Sequence, residues 1–478
     1  MGERAAALLG EVQLGDARLN QRLELLVEQM LDHPQMSIPE ACGSWAATIG
    51  AYRFLENDRV SPEAIMAGVA QGTVARCPHG GVLLAVQDTT SIDYTAHRST
   101  EGLGPLESSR RRGLVMHSTL AVTPDGTPVG LLDQQLWARD PETLGKSEQR
   151  AEVPIEGKES AKWLRSIRTV LERTEGRRGQ VVTVADREAD VYEVFALAAE
   201  LESEWVIRAR HDRCLADGTG RVEAAVAAAP VLATREIQVA RQVNHPERTA
   251  TVEIRALPVR LSPPLETGKV AKAKWRRAHP DVPLVGPTAM GALPFGVVLV
   301  TEPRPPTAPD TKPVRWLLVT SLPITSVEEV LTCLHYYRLR WLVERFHFIL
   351  KSGCQVEKLQ LEQSSRLKRA LTIYSVVAVW LLGATYLART MPEAPATIIL
   401  DDAAWRVLLT VTHPHRPLPL EPPTIHEAIR LIARLGGFLA RTGDGEPGAK
   451  TIWRGFRRLN DMELAYALFT SVTTAPTL

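Results

Sequence analysis

Three acidic residues stand where rigid secondary structure could aim a carboxylate. Val82-Leu83-Leu84-Ala85-Val86-Gln87 reads as a buried strand ending at Asp88, and Gln180 to Ala185 reads as a second ending at Asp186. The C-terminal end of a strand is where a sheet presents a side chain to a ligand. The third, Glu344, lies in a stretch predicted helical from Ser326 to Lys351. At ~100° per residue, Tyr337, Arg340, Glu344 and Lys351 share a stripe about 60° wide, with Leu339, Leu342, Phe346, Ile349 and Leu350 opposite. A strand-terminal Asp also serves as a turn former or helix cap, and a helix with a wet polar face accounts for the segregation. Neither explains a carboxylate flanked by a cation on each side and a phenol on one stripe.

If these carboxylates converge, their mutual repulsion makes the site stable only with divalent metal, and hard oxygen ligands favour Mg²⁺, with Mn²⁺ able to substitute. Two such ions hold the attacking and leaving oxygens of an in-line phosphoryl displacement, and Arg340 and Lys351 would grip the phosphate. The chemistry implied is cutting or joining phosphodiesters.

Several elements must position these residues. Leu19, Leu23, Leu26 and Met30 recur at helical spacing, with Arg18 and Arg22 beside them and Pro34 closing the segment. After the strand ending at Asp88 come two β-rich stretches, Gly113 to Val122 and Pro128 to Trp137, joined by the turn Pro124-Asp125-Gly126. Lys158 to Arg173 and Asp190 to Leu201 read as helices around the second strand. Short alternating runs from about Trp205 to Leu322, with the Pro-rich stretch Pro303 to Pro313, predict a β-rich insertion. Ser326 caps the next helix with Glu329 three residues on, and Gly353 stops it. Helices then fill Ser364 to Ala388 and Ile425 to Phe469. The order is mixed α/β.

Composition fits a large globular chain: 478 residues, 45% hydrophobic, suggest about three domains. Lys+Arg of 56 against Asp+Glu of 55 announces no polyanion partner, although Arg110-Arg111-Arg112 and Lys269 to Arg277 are local basic runs. Cys42, Cys77, Cys214, Cys333 and Cys354 form no C-x-x-C pair, so neither a zinc ribbon nor a disulfide framework is encoded. Gly145-Lys146-Ser147 lacks the earlier glycine of a P-loop, so ATP use is not expected. The N-terminus lacks a signal-like apolar stretch, and the run Ile373 to Leu382 is shorter than the ~20 residues that span a bilayer. A cytoplasmic protein without a membrane partner is expected.

Tyr337-x-x-Arg340-x-x-x-Glu344-x-x-x-x-x-x-Lys351 resembles the Y-R-E-K signature of DDE transposases related to the Tn-five transposase, of the insertion-sequence-four family. Asp88 in DTTS and Asp186 in DREAD resemble the family's other acidic motifs, in order, and GAYRFLENDRVSPEAI, KESAKW and IARLGGF extend the likeness over almost the whole chain.

The resemblance implies an α/β, RNase H-like catalytic core over 63–388 with its β-rich insertion at about 205–322. It also implies an N-terminal helical end-binding domain over 1–62 and a C-terminal helical dimerisation domain over 389–478. Asp88, Asp186 and Glu344 would hold two Mg²⁺ ions, with Tyr337, Arg340 and Lys351 on DNA phosphates. Trp316 would stack a flipped base, assisted by Trp341, and Arg22 would bind transposon ends. The activity implied is cut-and-paste transposition through end hydrolysis, a hairpin and 3′-OH strand transfer. A homodimer would act on inverted-repeat and target duplexes in a synaptic paired-end complex, associated with the bacterial nucleoid. Departures from the family are Gln87 where the relative has an acid and a less basic stretch from Val243 to Arg260, both expected to bear on end preference. A nuclease without strand transfer and a non-catalytic DNA-binding regulator are the alternatives.

Overall fold

The computed structural model describes residues 3–473, except 35, 79, 109, 144–151, 175–176, 178, 240–247, 266–267 and 305–312. Gly145-Lys146-Ser147 therefore lies outside the described residues, as do most of the Pro-rich stretch and the start of the stretch from Val243. Ten strands are described: β1 (Leu83–Asp93), β2 (Gly104–Pro105), β3 (Arg112–Val122), β4 (Pro128–Trp137), β5 (Val181–Ala185), β6 (Glu204–Arg208), β7 (Ala233–Val239), β8 (Arg248–Leu261), β9 (Leu293–Thr301) and β10 (Arg315–Thr320). The chain forms two compact units. One holds Met1–Cys77, Thr89–Leu144 and Leu342–Leu478, the other Pro78–Asp88 and Gly145–Trp341, so β1 runs from one into the other at Asp88.

In the second unit the sheet runs from β1 through β5, β6, β10, β9 and β8 to β7. β1 and β5 are parallel, β5 and β6 are parallel, and every later pairing is antiparallel. β6 thus completes the parallel core, and the β-rich insertion expected from about residue 205 begins only after it, as antiparallel strands. Helix Ala161–Arg173 is strongly amphipathic and buries Trp163, Leu164, Ile167 and Val170. Helix Tyr192–Glu200 brings Phe195 into an edge-on contact with Phe295, 5.1 Å between ring centres, beside Trp205. Aromatic burial of this kind is the main apolar contribution to such a core.

In the first unit β3 neighbours β1, and pairs antiparallel with β2 at Arg112 and Gly113 and with β4 from Val115 to Val122. The five helices Glu3–Leu9, Ala17–Asp32, Ile38–Cys42, Trp45–Glu56 and Pro62–Arg76 precede this sheet. Its central element is one helix of 27 residues, Ser364–Thr390. The apolar run judged too short to span a bilayer is the middle of this helix, which is long and apolar enough to cross one. However, 78% of its most apolar window is buried inside the protein, as for a core helix. The closing block is two helices, Ile425–Leu435 and Ala449–Thr473. This parallel core with antiparallel neighbours, flanked by terminal helical segments, is the RNase H-like arrangement expected. All five cysteines are free thiols.

Candidate active site

Parallel pairing joins the two strands that lead into the first two carboxylates. Leu83 lies opposite Val181 and Val86 opposite Val184, and Asp88 and Asp186 each follow two residues after that last pair. Both aspartates are half-buried. Asp186 has an extended backbone, and its Oδ1 accepts from the Glu188 N–H at 2.8 Å, capping the short turn Arg187–Ala189. Capping thus holds the carboxylate at the strand end.

The other acid of DREAD has a structural task. The Asp190 side chain is fully buried, accepts the backbone N–H groups of Arg210 and His211, and pairs with Arg213. It anchors the chain leaving β6. Lys162, in KESAKW, is buried and lies 3.6 Å from Glu159 and 3.5 Å from Glu188. Gln87 is fully buried too. An acid at that place would carry the desolvation cost of a buried charge.

Trp316, Tyr337 and Arg340 form a second cluster in the same unit. Trp316, half-buried near the start of β10, lies edge-on to the Tyr337 ring at 6.0 Å, and the Arg340 guanidinium lies 5.9 Å from that ring. Tyr337 is buried, whereas Trp341 is 52% exposed.

The expected single helix from Ser326 to Lys351 is corrected. The capping box forms as read: Glu329 N–H donates to Ser326 Oγ at 3.2 Å, and Ser326 N–H donates to Glu329 at 3.1 Å. The helix then ends at Leu339, resumes as Trp341–Phe348, and closes in a π turn, Ile349–Gly353. Cys354 N–H bonds Ile349 O at 2.9 Å, the wide π spacing, so the stripe computed for a uniform helix does not carry through to Lys351. The turn packs against the C-terminal helix: a Cβ at Gly353 would meet the Trp453 ring at 3.0 Å. This was not legible from local spacing.

Glu344 is half-buried and Lys351 sits within the π turn, both in the first unit. Burial lowers the Lys351 ammonium's pKa from its ordinary value, opposed by the carboxylates of Glu357, Glu107 and Asp93. Its buried neighbour His347 is pushed down to about 3 by burial and by Lys351. Arg111, read as part of a basic run, is engaged by Asp93 at 2.9 Å and Glu107 at 3.0 Å, so it is not an uncompensated cation. Arg22, on helix Ala17–Asp32, lies against Gly50, where a Cβ would stand 3.0 Å from its guanidinium carbon.

The structure therefore places Asp88 and Asp186 just beyond the paired stretch of two neighbouring parallel strands and carries Glu344 on the other unit. Among the described residues, no three His, Cys, Asp or Glu side chains are gathered closely enough to hold a metal ion. Carboxylates at the ends of two neighbouring parallel strands nonetheless suit a hard divalent cation, whose charge offsets their mutual repulsion.

An RNase H-like sheet with paired aspartates at adjacent parallel strand ends defines the class of metal-dependent enzymes that cut and join polynucleotides. Three families match the chain in order: Transposase DNA-binding over residues 1–60, Transposase DDE domain over 159–381, and Transposase Tn5 dimerisation domain over 376–468. The chain belongs to the Tn5-like DDE transposases. It is a polynucleotidyl transferase and endonuclease that binds DNA, forms a homodimer and depends on divalent metal.

Proposed function

We propose that this transposase moves DNA by cut-and-paste, with Asp88, Asp186 and Glu344 holding two Mg²⁺ ions, replaceable by Mn²⁺. The support is that Asp88 and Asp186 each follow two residues after the Val86–Val184 pair of two parallel strands, with Asp186 inside the matched DDE segment. Bound divalent ions supply Lewis acidity that activates the attacking oxygen and steadies the leaving one. The chain's own residues hold the substrate: Tyr337, Arg340 and Lys351 grip backbone phosphates near the scissile bond, and Arg22 binds the transposon end.

Water attacks phosphorus at the end and frees a 3′-OH. That hydroxyl attacks the opposite strand, giving a hairpin, and a second water reopens it. The regenerated 3′-OH then attacks target DNA and displaces a 3′-oxygen of the target strand. Trp316, with Trp341, stacks the base extruded at the hairpin, compensating part of the unstacking cost. Each attack exchanges one phosphodiester or water bond for another, so no ATP is required. The domains act as 1–62 for ends, 63–388 for chemistry and 389–478 for pairing two subunits in a synaptic complex. The reactions occur in the bacterial cytoplasm on nucleoid DNA.

The test incubates purified protein with duplexes carrying the element's inverted repeats and Mg²⁺. Hairpin ends, then joined target products, are expected, with Asp88→Ala, Asp186→Ala and Glu344→Ala losing every step but retaining end binding. Nicked ends that never join to target would overturn the proposal.

A further inference from the structure

Lys162 is the one buried lysine among the described residues. It stands in the first turn of helix Ala161–Arg173, where the helix dipole disfavours a cation, and burying an ammonium side chain costs both hydration and rotamer freedom. Packing of the helix does not call for it, since Trp163, Leu164, Ile167 and Val170 supply the apolar contact. The groups around the ammonium account for its place. Nζ lies 3.5 Å from a Glu188 carboxylate oxygen, 3.6 Å from one of Glu159 and 5.5 Å from the centre of the Trp163 ring.

Glu188 is also the residue whose backbone N–H donates to Asp186 Oδ1 at 2.8 Å. A single residue thus offers its carboxylate to Lys162 and its N–H to Asp186, all within the second unit. The short turn Arg187–Ala189 that carries Glu188 is anchored at its far end by buried Asp190, which accepts from Arg210 and His211. Lys162 supplies the hold in the middle of the turn.

We propose that Lys162 is a positioning residue for Asp186: by holding the Glu188 side chain it fixes the N–H that orients the Asp186 carboxylate as a metal ligand. The inference rests on the reading of Asp186 as a metal ligand given above. Groups behind a ligating carboxylate set its direction, and losing one weakens metal binding about tenfold to a hundredfold.

Mn²⁺ binding by the full-length protein, followed through the electron paramagnetic resonance of the free ion, tests this without any cleavage step. Charge and positioning predict opposite signs. Removing a cation near a metal site should by charge alone tighten divalent binding, whereas losing orientation weakens it. Lys162→Met should weaken Mn²⁺ binding about tenfold or more, and Lys162→Arg, which keeps the cation, should recover most of the loss. Glu188→Gln, at an exposed side chain, should weaken binding too, and the double variant should be no worse than Lys162→Met, since both act through one contact. Circular dichroism checks that each variant is folded. Unchanged or tighter binding by Lys162→Met, wild-type affinity in Glu188→Gln, or effects of the two that multiply would overturn the proposal. Asp186→Ala separates this from the catalytic reading: if it binds Mn²⁺ as the wild type does, Asp186 is no ligand and both readings fall.

Discussion

Asp186 caps a turn with one carboxylate oxygen, and this local role is what keeps the group at the end of the strand that pairs with β1. The bland reading of a strand-terminal aspartate and the catalytic one are thus compatible. Trp316 shows how little a residue type says alone: half-buried and edge-on to Tyr337, it is neither core nor free surface. Trp316→Ala should slow hairpin formation roughly tenfold to a hundredfold, in line with the 1–3 kcal/mol of a base–aromatic stack. End binding should change little. A 2-aminopurine at the extruded position would report it, fluorescing less strongly in complexes of wild-type protein, where the indole quenches it, than in the variant.

Elements whose signals are local were legible in the sequence. β3 and β4, the Ser326 capping box and helix Ala161–Arg173 follow from alternation, cap chemistry and helical period. The interruption at Arg340 and the π turn were not, since no local signal marks either and the turn packs against Trp453, about a hundred residues on. The parallel pairing of β1 with β5 was not legible either, since strand partners are chosen by tertiary packing. The same holds in the closing block, where IARLGGF was recognisable and its geometry was not. A Cβ at Gly455 would lie 1.8 Å from Ile432 O, and one at Gly436 1.8 Å from Thr451 O, so two helices cross at glycine contacts. Gly455→Ala should force them apart at a cost of about 1–3 kcal/mol, lowering the calorimetric Tm by several degrees and weakening dimerisation.

At the scale of the molecule, the chain's near-neutral total conceals opposed local charge, including carboxylates in the first unit. Glu463, on helix Ala449–Thr473, has its carboxyl pushed up to about 7 by burial and by Asp401 and Asp32, against the pull of Arg4. A folded value above the unfolded 4.5 means stability fully present below pH 4.5 and lost as pH rises through about 7. Glu463→Gln should therefore leave stability at pH 4.5 unchanged and raise it by about 1 kcal/mol at pH 8, after allowance for partial exposure. Denaturant midpoints at the two pH values measure the difference.

The central claim is that Asp88 and Asp186 ligate the same divalent ions. Replacing either carboxylate by a thiolate leaves a soft ligand that Mg²⁺ binds poorly and Mn²⁺ accepts better. Cleavage of transposon ends by Asp88→Cys and Asp186→Cys should be absent with Mg²⁺ and partly restored with Mn²⁺, while the matching Ala variants stay inactive with both. Full activity of either Cys variant in Mg²⁺, or activity of either Ala variant, would contradict the account.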